Sequence, residues 1–292
     1  MRAAFTEIID YAGLFPPAAC GMRDAIRQYD IYHQSDQRWL LGRFIVPTSR
    51  LDEMVRAIDE EGIDLDPVDP WHLSVTLGAV IQPEIEEIGR FNARWGQRGL
   101  VVDSVEYKVR SVGDLVGTDD LIPETLLRHY EVPREGPYQP LIAAIANAGA
   151  YAKVRTGGTT PGLFPDAHHL ADFIIAVVAA RLRFKCTAGL HHTFPGIYAL
   201  TYETNSPRHE MFGFAAILAA VAEAERGGEV SVIERMLGDR DRDAYEWVEG
   251  GLRWREREYD WEALGEAHRL FVGFGSCSFR EPVDELGVSV VA

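Results

Sequence analysis

Two hydrophobic periodicities alternate along this chain. Short runs rich in β-branched and aromatic residues are typical of buried strands, and between them lie longer stretches with apolar residues three and four positions apart, typical of amphipathic helices. The strands are predicted at Phe5–Asp10, Trp39–Val46, His72–Ala79, Leu100–Lys108, Arg128–Val132, Ala150–Arg155, Arg183–Thr187 and Leu270–Gly275. The helices are predicted at Arg50–Glu61, Pro83–Trp95, Gln139–Ala148, Asp166–Arg181 and Pro207–Glu225. This alternation predicts an α/β fold.

Eight strands with helical connections are the count of a (β/α)8 barrel, the TIM barrel, whose usual length is about 250 residues. The chain has 292 residues and no sign of an interdomain linker, so we expect a single domain over residues 1–292. The excess length lies at residues 227–268, before the last strand. There Trp247, Trp254 and Trp261 recur every seven residues and predict a packed helical insertion. A doubly wound open sheet is the alternative architecture.

Composition narrows the classes of partner. The net charge is −16 and no basic run offsets it, which argues against binding to nucleic acid or to an anionic membrane. Cys20, Cys186 and Cys277 are far apart and form no CxxC pair, so neither a disulfide framework nor a structural zinc site is expected. No apolar stretch approaches the length of a membrane span. We expect a cytoplasmic protein that acts on a small molecule, and the sequence leaves a homo-oligomer open.

Lysine is rare in this chain and occurs only in strand-like runs. Of the 29 basic residues, three are lysines, at Lys108, Lys153 and Lys185. Arginine cannot lose its proton in a protein, whereas a lysine can become a nucleophile or a proton carrier once burial and nearby positive charge lower its pKa. Lys153 and Lys185 are therefore candidates for chemistry, with buried ion pairs as the alternative. For Lys108 the structural role is favoured.

Strand alternation predicts where these side chains point. Lys153 shares a face with Arg155, and Lys185 shares a face with Thr187, while the small and apolar residues between them suit packing against outer helices. Both lysines should face the barrel interior, on neighbouring strands about 4.8 Å apart. Two ammonium groups this close repel, so one pKa should fall and leave a neutral amine able to attack a carbonyl. Glu106, on another strand, is a candidate for moving protons.

Two strand motifs resemble those of a known enzyme family. Lys153–Gly157 reads Lys-x-x-Thr-Gly, and Phe184–Gly189 reads Phe-Lys-x-x-x-Gly, with the two lysines 32 residues apart. This pair resembles deoxyribose-phosphate aldolase and its class I aldolase relatives, and the runs IIDYAGL, SVEYKV and VGFGSCS are similar to further motifs of that family in the same order. The resemblance implies a TIM barrel in which Lys153 forms a Schiff base, Lys185 lowers its pKa and Glu106 serves the proton relay.

The departures from the family concern the substrate. Arg155 stands where the family has a small residue, and its guanidinium suits a carboxylate or phosphate in the lumen. Glycines at the strand ends could present backbone N–H groups to an anion, or could simply close tight turns. We therefore predict a carbon–carbon lyase acting on a small anionic carbonyl compound. The residues predicted to bind this substrate are Asp10, Arg155, Thr156, Gly157, Gly158, Thr187, Gly189, His191, His192, Gly275 and Ser276.

Other functions remain open at this point. A zinc or manganese site for hydrolysis or class II aldol chemistry would join His191 or His192 to Glu106, Glu131, Asp10 or His209. No HxH or HExxH spacing supports such a site, so we expect neither a metal ion nor a cofactor. Cys277 could be a nucleophile beside a histidine, although a cysteine at a strand end is more often packed. A barrel that binds a small ligand without chemistry is the third possibility.

Overall fold

The computed structural model describes residues 1–287, apart from the side chain of Arg242. The strands in chain order are β1 (Ile9–Tyr11), β2 (Leu41–Pro47), β3 (Trp71–Thr76), β4 (Leu100–Lys108), β5 (Leu127–Glu131), β6 (Tyr151–Arg155), β7 (Phe184–Thr187), β8 (Gly196–Ala199), β9 (Arg208–Met211), β10 (Tyr245–Val248), β11 (Gly251–Trp254), β12 (Arg257–Asp260) and β13 (Phe271–Ser276). Eight of them, all parallel to their neighbours, form a closed barrel in the order β1-β13-β7-β6-β5-β4-β3-β2. The predicted TIM barrel is confirmed, and each predicted strand is one of these eight.

Helices connect and cover the barrel strands. In chain order they are α1 (Arg2–Phe5), α2 (Met22–His33), α3 (Leu51–Glu61), α4 (Ile81–Trp95), α5 (Val112–Asp119), α6 (Gln139–Asn147), α7 (Ala167–Ala179), α8 (Phe214–Glu225), α9 (Val230–Gly238), α10 (Trp261–Leu270) and α11 (Arg280–Leu286). Short 3-10 turns lie at Arg38–Leu40, Thr48–Arg50, Gly96–Arg98, Pro161–Leu163 and Arg242–Ala244. The first four predicted helices correspond to α3, α4, α6 and α7.

The helix predicted to begin at Pro207 begins later. Residues 208–211 form β9, which pairs antiparallel with β8, and α8 starts only at Phe214. The Ser206 hydroxyl precedes this segment and accepts a hydrogen bond from the backbone N–H of Thr201 at 2.8 Å. A serine followed by proline serves a turn as readily as a helix start, and here it closes the β8–β9 hairpin.

The segment 227–268 carries two helices with a three-stranded antiparallel sheet, β10-β11-β12, between them. The predicted helical insertion is therefore not confirmed, because Trp247 and Trp254 lie on strands and only Trp261 lies on a helix. Trp247 and Trp261 stack with ring centroids 5.7 Å apart. Helix α8 packs against α7, α9 and α10. This enclosure explains why residues 214–224 are buried on every side.

Among residues 1–287, one helical stretch, Pro161–Ala179, is long and apolar enough by length and composition to cross a membrane. This corrects the expectation that no stretch approaches that length. The stretch joins a 3-10 turn to α7, and half of its most apolar 18 residues are buried. Within α7, Phe173 is fully buried and packs against Phe184 of the barrel, with ring centroids 5.3 Å apart. Such packing is that of a core helix.

Candidate active site

Charged side chains from five neighbouring or facing strands meet inside the barrel. Their burial is unusual, because charged residues are rarely buried unless they are paired. The buried charged side chains of the lumen are Asp10 of β1, Glu106 of β4, Glu131 of β5, Lys153 of β6 and Lys185 of β7.

The two lysines are placed as the strand alternation predicts. Lys153 and Lys185 are register partners on the adjacent strands β6 and β7, and both side chains point into the lumen. Lys153 is 6% exposed and contributes to the wall of a cavity of about 420 Å³ at the C-terminal end of the barrel. Lys185 is 1% exposed and is not part of that wall. One amine thus faces the cavity and the other is covered.

Ion pairs of alternating sign link these groups. The ammonium of Lys185 contacts the carboxylate of Asp10 and donates to Glu106 Oε1 at 2.7 Å. The second oxygen of Glu106, Oε2, lies 2.7 Å from Lys153 Nζ. Lys153 Nζ also lies 3.0 Å from Glu131 Oε2. Glu106 therefore bridges the two lysines, and each lysine has a further carboxylate of its own.

Backbone groups position Asp10, which lies at one end of this row of ion pairs. Asp10 Oδ1 accepts a hydrogen bond from the backbone N–H of Arg43 at 2.7 Å. A Cβ at Gly42 would collide with the same oxygen, so the strand approaches the carboxylate this closely only with glycine there. On β13, Gly273 and Gly275 are the register partners of Lys185 and Thr187. A Cβ on Gly273 would lie 2.8 Å from the backbone oxygen of Ile8, so glycine there lets β13 approach the segment before β1 this closely.

A line of hydroxyl groups supports Glu106 from beneath. Ser74 Oγ donates to Glu106 Oε1 at 2.8 Å and lies 3.1 Å from Ser104 Oγ. Ser104 Oγ in turn lies 3.0 Å from Nδ1 of His129. Burial, reinforced by the charge of Lys185, lowers the pKa of His129 well below its usual range, so the imidazole is neutral. Sequence reasoning missed these three residues, because none belongs to a recognisable motif.

The pKa of Lys153 beside Lys185 differs from the sequence-based expectation. Burial alone would lower the pKa of Lys153, but the charges of Glu106 and Glu131 outweigh it, and the pKa is raised. The prediction that Lys185 leaves Lys153 with a depressed pKa is therefore wrong for this state. The reason is that the Glu106 carboxylate lies between the two ammonium groups and removes their repulsion. Burial likewise opposes the charge on Glu106, yet Lys153 and Lys185 hold its pKa well below the usual range.

The cavity wall contains many of the residues predicted from sequence. Besides Lys153, two cationic side chains reach it, Lys108 at the end of β4 and Arg155 at the end of β6. Arg155 is partly exposed and lies 3.4 Å from Glu131 Oε1 through its Nε. The predicted site residues in the wall are Glu106, Lys153, Arg155, Gly158, Thr187, His191 and Gly275.

Three other residues predicted to bind substrate stabilise the backbone at the strand ends. Thr156 is fully buried, and its hydroxyl donates to the carbonyl of Ala188 at 2.6 Å. Gly157 and Gly189 pack so closely that a Cβ on Gly157 would lie 2.9 Å from the Cα of Gly189. Gly189 also has φ +69°, a left-handed conformation that favours glycine. At these positions the glycines close tight turns.

Three further predicted residues lie beside the cavity or below it. The carboxylate of Asp10 lies beneath the cavity, where it contacts the ammonium of Lys185 and accepts a hydrogen bond from the backbone N–H of Arg43. His192 faces a smaller neighbouring cavity of about 170 Å³. The hydroxyl of Ser276 lies 3.3 Å from His191 Nδ1 and donates to the carbonyl of Ser278 at 2.7 Å. Asp10, His192 and Ser276 are not part of the main cavity wall, whereas His191 is.

The ligands considered for a metal site are dispersed. The carboxylates proposed for it are paired with the lysines. His191 and His192 contact Glu281 and Glu285 at 3.0 and 2.6 Å, and His209 lies on β9 outside the barrel. Over residues 1–287, no group of three or more His, Cys, Asp or Glu side chains is arranged to hold a metal ion.

Comparison with known proteins gives no family assignment: no family model matches the chain, and no curated protein matches it significantly. The resemblance to class I aldolases therefore rests on the motifs of this sequence. A barrel fold by itself does not define an activity; the geometry and chemistry of the site do.

Proposed function

We propose that this protein is a class I aldolase-like carbon–carbon lyase that forms a Schiff base between Lys153 and a small anionic carbonyl substrate. The observation that carries the proposal is the different placement of the two lysines. Lys153 presents its amine at the cavity wall, whereas Lys185 is covered and connected to Lys153 through Glu106. A nucleophile must reach the substrate, and a supporting charge need not.

Proton transfer within this network would prepare the nucleophile. Lys153 begins as an ammonium and must lose a proton before it attacks. Glu106 Oε2, at 2.7 Å, is within reach as the acceptor, and the contact of Lys185 with the other oxygen holds the carboxylate in position. Substrate binding would displace water from the cavity, and desolvation disfavours charged groups. It would therefore favour a neutral Lys153 amine beside a protonated Glu106 over the ammonium and the carboxylate.

The imine then serves as the electron sink. The neutral amine adds to the carbonyl carbon, the C–N bond forms, and the carbonyl oxygen leaves as water after protonation. A base then removes the proton of the β-hydroxyl group, the bond between the α and β carbons breaks, the β carbon leaves as an aldehyde, and the electron pair moves into the protonated imine to give an enamine. Protonation of the enamine and hydrolysis by water regenerate Lys153. Glu106 and Glu131, both within 3.0 Å of Lys153, are the groups available to exchange these protons.

Charge at the cavity wall supports the substrate class. Arg155 and Lys108 are two cations in a wall that also carries apolar groups such as Phe15 and Ile45. A carboxylate or phosphate on the substrate would accept charge-assisted hydrogen bonds from the guanidinium fork of Arg155. The proposal needs no cofactor, and we further propose that the protein acts on small molecules in the cytoplasm.

Activity with a panel of carbonyl compounds tests the proposal. Small aldehydes and 2-oxo acids should be turned over, and borohydride should inactivate the protein only when such a compound is present. The full pairing of the lumen charges also suits a second function, which is binding of a small anion without chemistry. Saturable binding of the panel without turnover and without substrate-dependent inactivation would favour that second function.

A further inference from the structure

A second group of reactive side chains lines the same cavity, and the imine chemistry does not use it. Cys277 follows β13 and His191 follows β7, and both belong to the cavity wall. The sulfur of Cys277 lies 4.0 Å from His191 Nε2. The other ring nitrogen, Nδ1, lies 3.0 Å from the carboxylate of Glu281. The hydroxyl of Tyr202 lies 3.5 Å from the sulfur and donates to Glu281 at 3.0 Å.

This order of groups is that of an activated nucleophile. A thiol faces one nitrogen of an imidazole, and a carboxylate holds the opposite nitrogen and so orients the ring. Burial would raise the pKa of Cys277, but hydrogen bonding and the charge of His191 outweigh it and lower the pKa. Burial also opposes the charge on His191, yet Cys277 and Glu281 raise the pKa of His191 to about 9. Both shifts act in the direction of a thiolate beside an imidazolium.

The other cysteines have the opposite environment. Cys186 is fully buried on β7, and burial raises its pKa. Cys20 is partly exposed, and burial again raises its pKa. The thiolate is the reactive form of cysteine. Cys277 thus combines a stabilised thiolate with a position on a cavity large enough for a small molecule.

We propose that Cys277 is a nucleophile that adds reversibly to small aldehydes in this cavity, with His191 as the proton donor and Glu281 as the residue that positions the imidazole. The sulfur forms a bond to the carbonyl carbon, and the π electrons of the carbonyl move to its oxygen. That oxygen takes the proton from His191 Nε2, which gives a thiohemiacetal and a neutral imidazole. The reverse steps release the aldehyde, and no other reactant is needed. Capture by Cys277 does not require an imine at Lys153.

Alkylation of the full chain by iodoacetamide, followed residue by residue with peptide mass mapping, tests the activation. At neutral pH, Cys277 should react roughly tenfold or more faster than Cys20, although Cys20 is the more exposed, because each unit of pKa changes the thiolate fraction about tenfold. His191→Asn should slow the Cys277 reaction about tenfold, and Glu281→Gln should slow it by less. His168→Asn, an exposed histidine of α7, is the matched control and should change nothing. Equal rates for Cys277 and Cys20, or a rate that His191→Asn and Glu281→Gln both leave unchanged, would overturn the proposal.

Acetaldehyde tests the capture step. It should protect Cys277 from iodoacetamide, and acetamide of similar size should not. The protection should persist in Lys153→Arg, which cannot form an imine, so the result is independent of the proposed lyase activity. With carbon-13-labelled acetaldehyde, wild-type protein should show a thiohemiacetal carbon signal that Cys277→Ser lacks. If neither protection in Lys153→Arg nor the labelled signal in wild-type protein appears, Cys277 is not an aldehyde-binding nucleophile, whatever borohydride shows for Lys153.

Discussion

Lys153 and Lys185 occupy the same level of neighbouring strands, and a shared carboxylate lies between their ammonium groups. Side-chain direction and strand adjacency bring the lysines together, but the charges of Glu106 and Glu131 raise the pKa of Lys153. The resting site is a set of ion pairs, and Lys153 becomes a nucleophile only after a proton moves. Glu106 is consequently the residue whose removal separates nucleophile formation from turnover.

Glu106→Gln should leave imine formation intact while it slows catalysis. The Glu106 charge raises the pKa of Lys153, so its loss should lower that pKa and increase the neutral amine at pH near 7. Borohydride trapping should persist or increase there, whereas turnover should fall by ~10²–10⁴-fold through the lost proton transfer. Parallel measurement of the trapping rate and steady-state rate checks this. Unchanged turnover in the folded variant would remove Glu106 from the proton relay.

Lys185→Met should cost stability and shift imine chemistry to higher pH. The substitution leaves Asp10 and Glu106 buried beside one cation fewer, and breaking a buried ion pair from one side costs about 3–5 kcal/mol. The added negative character around Lys153 should raise its pKa further. Urea unfolding and the pH profile of trapping are the measurements. Arg90→Met, which removes an exposed cation of α4, should change stability by less than about 1 kcal/mol.

Arg155→Gln should weaken anionic substrates selectively. A charge-assisted hydrogen bond contributes about 1.5–3 kcal/mol, so KM for a 2-oxo acid should rise roughly 10- to 100-fold. KM for a neutral aldehyde should change much less, because it has no anionic group to lose. Arg155→Lys keeps the charge without the guanidinium fork and should give an intermediate KM. Equal effects on both substrates would argue that Arg155 shapes the cavity instead of binding the anion.

Asp103 should contribute stability that disappears in acid. Burial opposes its charge, but hydrogen bonds from His72 at 2.9 Å and from Arg43 at 2.8 and 2.9 Å outweigh burial and lower the pKa of Asp103 from 3.8 to about 2. The folded pKa lies below the unfolded value, so the contribution, about 2 kcal/mol, is present above pH 3.8 and is lost as pH falls through about 2. In Asp103→Asn, the free energy of unfolding should fall less steeply than in wild type as the pH is lowered through this range. Asp69→Asn, which removes an exposed partner of Arg38, is the control and should leave this dependence of the free energy of unfolding on pH as in wild type.

The sequence was sufficient for the barrel and for the direction of its lysines. Strand periodicity is local, and alternation assigns Lys153 and Lys185 to the lumen without knowledge of the rest of the chain. Their protonation is not local. Lys185 pairs with Asp10, which is 175 residues distant in the chain, and the sign of the pKa shift on Lys153 depends on which carboxylates fold in beside it.

Local signals also failed where they were ambiguous. Ser206-Pro207 suits a turn as well as a helix start, and tryptophans at seven-residue spacing occur on two strands and a helix of the 227–268 segment. The partners of Cys277 show a different limit. His191 is 86 residues away in the chain, so sequence reasoning could place each group at a strand end but could not show which groups meet.

Mapping of the borohydride-reduced adduct tests the central claim most directly. The three lysines of the chain and its N-terminal amine are the candidate sites, so peptide mass spectrometry after reduction with a small aldehyde or 2-oxo acid can distinguish them. The predicted result is one secondary-amine adduct on Lys153, lost in Lys153→Arg. No adduct from any carbonyl compound tried, or an adduct on Lys108, Lys185 or the N-terminal amine that survives Lys153→Arg, would contradict the Schiff-base proposal.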